Sequence, residues 1–220
     1  ALMKYDTIIF DLDGTLLNTL DDLCDSLNEI LLQEGYMTRT LDEVRRFIGN
    51  GVRRLVELSL PDESSDDEIS RITSLFQQQY KNNFENKTRP YDGIMELLSD
   101  LKKLNYKSAI VSNKFDSATK ALAQHFFDGL IAVAIGETAQ IRRKPAPDSV
   151  LEAVAELGSD IAKAVLVGDS ETDIETAKNA GIPCIGVSWG FRGRRLLEKH
   201  GADYIIDSPG ELIDLIRSIS

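Results

Sequence analysis

The stretch Thr7-Ile8-Ile9-Phe10-Asp11-Leu12-Asp13-Gly14-Thr15 decides the fold. Its first four residues are β-branched or aromatic and suit a strand buried on both faces. The acid pair and glycine that follow place carboxylates where such a strand gives way to a turn. Four more short apolar runs, at residues 108–111, 130–134, 164–167 and 183–187, also end in polar or glycine-bearing turns. Helix-patterned stretches of crossover length lie between them, at 93–104, 117–126, 147–157 and 172–180. Alternation of this kind predicts an α/β fold with a parallel sheet.

Residues 19–84 break the rhythm. Leu20, Leu23, Leu27, Ile30 and Leu31 recur at helical spacing, as do Ile69, Ile72, Leu75, Phe76 and Tyr80, and no strand pattern intervenes. The expectation is a helical insertion directly after the first strand, with linkers near 16–18 and 86–93, where Pro90 and Gly93 punctuate the return. The domain reading is therefore an α/β core of residues 3–17 and 88–220, with a small helical domain of residues 18–87 over the sheet.

Composition narrows the function. With 220 residues, 42% of them hydrophobic, the chain can bury one sizeable core and a small accessory one. A net charge of -11, from 36 acidic and 25 basic residues, argues against nucleic acid or an anionic membrane as the partner. Cys24 and Cys184 lie far apart among apolar neighbours, so neither a disulfide framework nor a metal-thiolate site is expected. No run approaches the roughly 20 apolar residues of a bilayer span. Met3 reads as the initiator, with Ala1 and Leu2 preceding the natural start, and Asp6 stands where a signal peptide needs apolar residues. The expected location is the cytoplasm, and the expected state a monomer, with a dimer as the alternative.

In open parallel sheets ligands bind beyond the carboxyl ends of the strands. There the chain offers Asp11, Asp13, Gly14 and Thr15 after the first run, Ser112 and Asn113 after the second, and Asp169, Ser170 and Asp173 after the fourth. Lys144 occupies the loop Arg142-Arg143-Lys144-Pro145-Ala146-Pro147-Asp148. Asp11, Asp13 and Asp169 together offer hard oxygen ligands, for which magnesium is the natural occupant. Without a cation, two such charges about 4 Å apart repel by about 4 kcal/mol at an effective dielectric near 20. With the charge neutralised, Asp11 can attack the phosphorus of a small phosphate ester, and Asp13 can protonate the leaving group and then activate water. Lys144 supplies positive charge, the hydroxyls of Thr15 and Ser112 supply donors, and Gly14 lets backbone amides approach a phosphate.

These residues, in this order, resemble the haloacid dehalogenase superfamily, with its D-x-D-G-T, Ser/Thr, Lys and acidic G-D-x-x-x-D motifs. The resemblance covers nearly the whole chain. It implies a Rossmann-like three-layer core with a small α-helical cap, a nucleophile at Asp11 and an acid/base at Asp13. It also implies phosphate contacts at Ser112 and Lys144, magnesium ligands at Asp11, the Asp13 carbonyl and Asp169, and for Asp173 either a place behind those ligands or a weaker ligation. Phe47-Ile48-Gly49-Asn50-Gly51 and Trp189-Gly190-Phe191-Arg192-Gly193 are similar to stretches of phosphoglycolate phosphatase-like members. Phosphomonoester hydrolysis is the leading expectation. A mutase, another phosphotransferase or a pyrophosphatase on the same scaffold is the alternative, and a phospho-accepting signalling module stands further off.

The other candidates each carry a bland reading. Asn113 joins Ser112 as a phosphate contact or is a turn residue, and Asn50, Gly51 and Arg54 are the substrate contacts suggested for the insertion. Arginines there equally suit a solvated helix face. Lys114 has no assigned role. His125 and His200 fall outside every motif.

Overall fold

The computed structural model describes residues 3–219; Ala1 and Leu2, read above as preceding the start, lie outside the described residues. In chain order, β1 (Thr7–Phe10) and the short β2 (Leu17–Asn18) lead into four helices. These are α1 (Leu20–Gln33), α2 (Leu41–Phe47), α3 (Val52–Ser59) and α4 (Asp66–Asn83). The chain returns through β3 (Arg89–Pro90), α5 (Ile94–Lys103), β4 (Lys107–Phe115), α6 (Asp116–Phe127), β5 (Val133–Glu137) and α7 (Asp148–Glu156). It ends with β6 (Ala164–Gly168), α8 (Glu171–Ala180), β7 (Cys184–Val187), α9 (Arg194–Lys199), β8 (Tyr204–Ile206) and α10 (Leu212–Ser218).

Six strands form a parallel sheet in the order β5-β4-β1-β6-β7-β8. Alternation along β1 distributes its side chains between two helical layers. Ile8 and Phe10 join a core with Leu97, Leu101, Leu122 and Leu212 of α5, α6 and α10. Ile9 joins the opposite one, with Val150, Ala153, Ile174 and Leu197 of α7, α8 and α9. The architecture is the expected three-layer α/β core. Because β1 is flanked by β4 on one side and β6 on the other, a crevice opens beyond its carboxyl end, the topological switch point of such sheets.

Helices α1 to α4 share a third apolar cluster that includes Leu27, Leu31, Ile72, Phe76 and Tyr80. Burying side chains of this size is worth roughly 1.5–3 kcal/mol each, so the apolar stripes read at helical spacing hold these helices to one another. The helix ends are written locally. Thr40 and Glu43 form a capping box before α2, and Ser65 caps α4 ahead of Asp66, Asp67 and Glu68. The two segments read as linkers meet, with Leu17 opposite Pro90 and Asn18 opposite Arg89 in an antiparallel ribbon.

Two details differ from the sequence reading. The run at 130–134 does not begin a strand: the Leu130 and Ile131 amides donate back to the Phe127 carbonyl, closing α6, and β5 starts at Val133. Leu130 and Ile131 spend their hydrophobicity packing on the core instead. The edge strand β8 was not expected, since its three residues are too few for a periodic signal. Among the described residues, no helix is long and apolar enough to cross a membrane.

Candidate active site

Four segments converge on the crevice. The turn after β1 wraps around Leu12, whose carbonyl accepts from the amides of Thr15, Leu16 and Leu17, while Gly14 turns the chain at φ +81°. The positive φ is one reason for glycine there. Crowding is the other, because a Cβ on Gly14 would lie 2.2 Å from Asp169 Oδ2. The turn presents the Asp11 and Asp13 side chains to a cavity of about 60 Å³. That volume is several times the roughly 10–15 Å³ one water requires.

At the end of β4, pairing with β5 slips between Val111 and Phe115, and such irregularities re-aim side chains. Ser112, Asn113 and Lys114 fall in this segment, and all three line the cavity. The Ser112 hydroxyl oxygen accepts from the Lys114 amide at 3.1 Å, leaving its own proton available. Asn113 works as a strut: its side-chain oxygen accepts from the Lys144 amide at 2.9 Å, and its NH₂ donates to the Lys144 and Gly49 carbonyls. Thus fixed, Lys144 reaches into the carboxylates, its Nζ 2.8 Å from Asp173 Oδ1 and 3.2 Å from Asp11 Oδ1.

Asp169 follows β6. Its Oδ2 accepts from the Phe191 amide at 2.9 Å, and Oδ1 lies 3.4 Å from the Thr15 hydroxyl, which donates to it. Thr15 is fully buried, and its hydroxyl therefore holds Asp169 rather than facing the cavity. Asp173 Oδ2 accepts from the amides of Asp169 and Ser170 and from the Ser170 hydroxyl, completing a capping box at the start of α8. With Oδ1 paired to Lys144, Asp173 holds its neighbours while one of its oxygens also lies beside Asp11 and Asp169.

The electrostatics follow from this crowding. Burial, then the charge of Asp173, raises the Asp11 carboxyl well above its ordinary range, against the opposing pull of Lys144. Burial and Asp173 likewise push Asp169 up to about 7. Burial alone would lower the Lys144 ammonium, but Asp11 and Asp173 outweigh it and hold the group charged. Carboxylates so destabilised as anions suit a cation. Among the described residues, one oxygen each from Asp11, Asp169 and Asp173 lies within 4.8 Å of the others, and the hard oxygens of the three fit a divalent ion. The Asp13 carboxylate, expected in this group from sequence, is not part of it and pairs with Lys114 instead, which leaves Asp13 only its carbonyl for a metal. Such an ion would reverse the upward shifts.

The helical insertion contributes Leu23, Ile48, Gly49, Gly51, Val52 and Phe76 to the same cavity. Gly51, suggested from sequence, is among them; Asn50 and Arg54 are not. The Asn50 side chain accepts from the Thr172 hydroxyl at 3.3 Å, and Arg54 pairs with Glu57 on an exposed helix face. Three contributors carried no site role in the sequence reading. Lys114 pairs with Asp13 Oδ1 at 2.9 Å and donates to the Tyr80 hydroxyl at 3.0 Å. The Phe191 amide anchors Asp169. Arg192 donates to the Arg45 and Ile48 carbonyls of the insertion. Position directly after Ser112-Asn113 was the available signal for Lys114; nothing in sequence announces Tyr80 or an amide.

Known proteins are similar to this chain in sequence and in fold. The sequence pattern described as haloacid dehalogenase-like hydrolase matches residues 8–187. The chain is 36% identical over 205 residues to the phosphoglycolate phosphatase of Mesorhizobium japonicum, covering 89% of this chain and 88% of that one. It is 32% identical over 210 residues to the phosphoglycolate phosphatase of Aquifex aeolicus, covering 95% of each. A crystal structure from Lactobacillus delbrueckii subsp. bulgaricus, named as a candidate phosphoglycolate phosphatase, superposes with a TM-score of 0.91 at 37% identity, covering 98% of this chain and 99% of that one. With the family pattern spanning most of its length and relatives of this similarity, the chain belongs to the haloacid dehalogenase-like hydrolase family.

Proposed function

We propose that this phosphatase hydrolyses a small phosphomonoester bearing a carboxylate, phosphoglycolate being the first substrate to test, through a phospho-aspartate on Asp11 with magnesium as cofactor. One observation carries the reading: Asp11, Asp13, Ser112, Lys144 and Asp169 all line a single small cavity at the switch point of the sheet. The names of the relatives in Mesorhizobium japonicum and Aquifex aeolicus support the choice of substrate.

In this proposal Asp11 and Asp169, with the Asp13 carbonyl, hold the metal, and Asp173 steadies Lys144 and the Asp169 loop. When bound, magnesium supplies neutralising charge to nucleophile and phosphoryl oxygens. Asp11 attacks phosphorus in line with the ester oxygen. The Ser112 hydroxyl and the Lys144 ammonium stabilise the charge that spreads over the phosphoryl oxygens. Asp13 protonates the departing alkoxide, then takes a proton from the water that cleaves the acyl phosphate. Gly14 keeps the turn close, and Thr15 orients Asp169. Asn113 fixes the Lys144 loop.

Residues 18–87 act as a cap, excluding water and contacting the non-phosphate end of the substrate at Gly51 and its apolar neighbours. A cytoplasmic location belongs to the same proposal and accords with two buried, unpaired cysteines. Asp11→Asn tests the assignment: release of phosphate from phosphoglycolate with magnesium should be abolished while circular dichroism stays unchanged. Wild-type turnover in that variant would remove Asp11 from the chemistry.

A further inference from the structure

The three cations lining the cavity differ in how their donors are spent. Lys144 directs its ammonium to the Val111 carbonyl at 3.1 Å, to Asp173 at 2.8 Å and to Asp11 at 3.2 Å, three partners for three N–H groups. Arg192 is turned to the Arg45 and Ile48 carbonyls and to Glu171. Lys114 has two partners among the described residues, Asp13 Oδ1 at 2.9 Å and the Tyr80 hydroxyl at 3.0 Å. It sits 4.5 Å from the centre of the Tyr80 ring with its side chain 4% exposed. One N–H is therefore left over on a buried cation that lines the cavity.

Its neighbour matters as much as its spare donor. In the proposed reaction Asp13 serves the ester oxygen, and the carboxylate of phosphoglycolate begins one methylene beyond that oxygen. Two groups touch Asp13 Oδ1, the Thr19 hydroxyl at 2.5 Å and the Lys114 ammonium at 2.9 Å, and of the two only Lys114 is charged and lines the cavity. A substrate whose ester oxygen faces Asp13 therefore brings its carboxylate toward Lys114. The insertion offers the same cavity mainly apolar side chains, including Leu23, Val52, Leu55 and Phe76. Such a wall accepts a methyl group, but a carboxylate buried against it without a cation is strongly disfavoured.

We infer that Lys114 is the specificity-determining residue of the site, reading the carboxylate of a short phosphorylated hydroxy acid with its spare N–H. This rests on the reading above that the substrate carries a carboxylate. Tyr80, from α4, holds the ammonium in place, so recognition is shared between the sheet and the insertion.

The test compares phosphoglycolate with ethyl phosphate, which has a methyl group in place of the carboxylate, in wild type, Lys114→Met and Lys114→Gln with magnesium. Both variants disturb Asp13 and slow both substrates, so the readout is the ratio of the two kcat/KM values, with KM and kcat resolved. The wild type should prefer phosphoglycolate, and each variant should lower that preference at least about 30-fold, chiefly through KM. Circular dichroism checks folding, and K114Q, which retains a neutral N–H donor on the side chain, carries the test should K114M not fold. A wild type without preference overturns the substrate reading and this inference together. A wild-type preference that survives in the folded variants overturns this inference alone.

Discussion

The ammonium of Lys144 lies 2.8 Å from the Asp173 carboxylate, with the two side chains 3% and 1% exposed. Such a pair is maintained less for net stability than because neither partner tolerates burial alone. Its geometry keeps Lys144 charged and aimed at Asp11.

Lys144→Met should therefore be costly twice over. Removing one partner of a buried ion pair destabilises by roughly 3–5 kcal/mol. Loss of a charge aimed at the phosphoryl oxygens should lower kcat by about 10²–10³-fold. Urea denaturation and steady-state kinetics on the folded fraction measure the two effects; a variant with wild-type kcat would place Lys144 outside the phosphoryl site.

How far this site could be read from sequence depends on what each residue does. That Asp11, Asp13 and Asp169 meet in one crevice was legible because they follow strands with clear apolar runs, whereas Lys144 was placed there by its motif in the family resemblance. Thr15 and Asn113 were legible as members of the site but not in their work. A hydroxyl or amide can bond a phosphate or a protein group equally well, and only coordinates show Thr15 on Asp169 and Asn113 on Lys144. Tyr80 lies 34 residues before Lys114 and reads as one more apolar position in a helical stripe. The start of β5 was misread because Leu130 and Ile131 look like strand residues while their amides finish a helix.

Removal of metal should reveal the strain among the carboxylates. Asp169 has an ordinary value of 3.8 and is pushed up to about 7. The folded state then binds the proton more tightly than the unfolded one, so metal-free stability falls as pH rises from about 4 through 7. In EDTA, Asp169→Asn should melt higher than wild type at pH 7.5, and the gap should shrink toward pH 5. Magnesium should raise the melting temperature of wild type and much less that of D169N. A gap independent of pH would show that Asp169 carries no such strain.

Gly14→Ala offers a steric test. The added methyl would lie 2.2 Å from Asp169 Oδ2 and 2.8 Å from the Phe191 ring, at a backbone φ of +81° that alanine resists. Overpacking of this kind costs about 1–3 kcal/mol and should displace the Asp169 carboxylate. The magnesium concentration for half-maximal activity should rise, and an unchanged value would disconnect this contact from metal binding.

Arg192→Ala probes the hold of the core on the insertion. Its guanidinium donates at 2.5 Å to the Arg45 carbonyl and at 2.6 Å to that of Ile48, which directly precedes the cavity-lining Gly49. Charged hydrogen bonds contribute about 1.5–3 kcal/mol. Loss of the clasp should raise KM roughly 10-fold with a smaller change in kcat. Equal KM values in variant and wild type would show that the clasp does not shape the substrate pocket.

The central claim is that Asp11 itself receives the phosphoryl group, and trapping tests it most directly. An aspartyl phosphate is reduced by borohydride to homoserine, which peptide mass spectrometry locates by residue. Enzyme quenched during turnover of phosphoglycolate with magnesium should yield homoserine at position 11, and Asp11→Asn should yield none. Homoserine at another aspartate, or its absence from position 11 under conditions that trap a known aspartyl phosphate, would contradict the account.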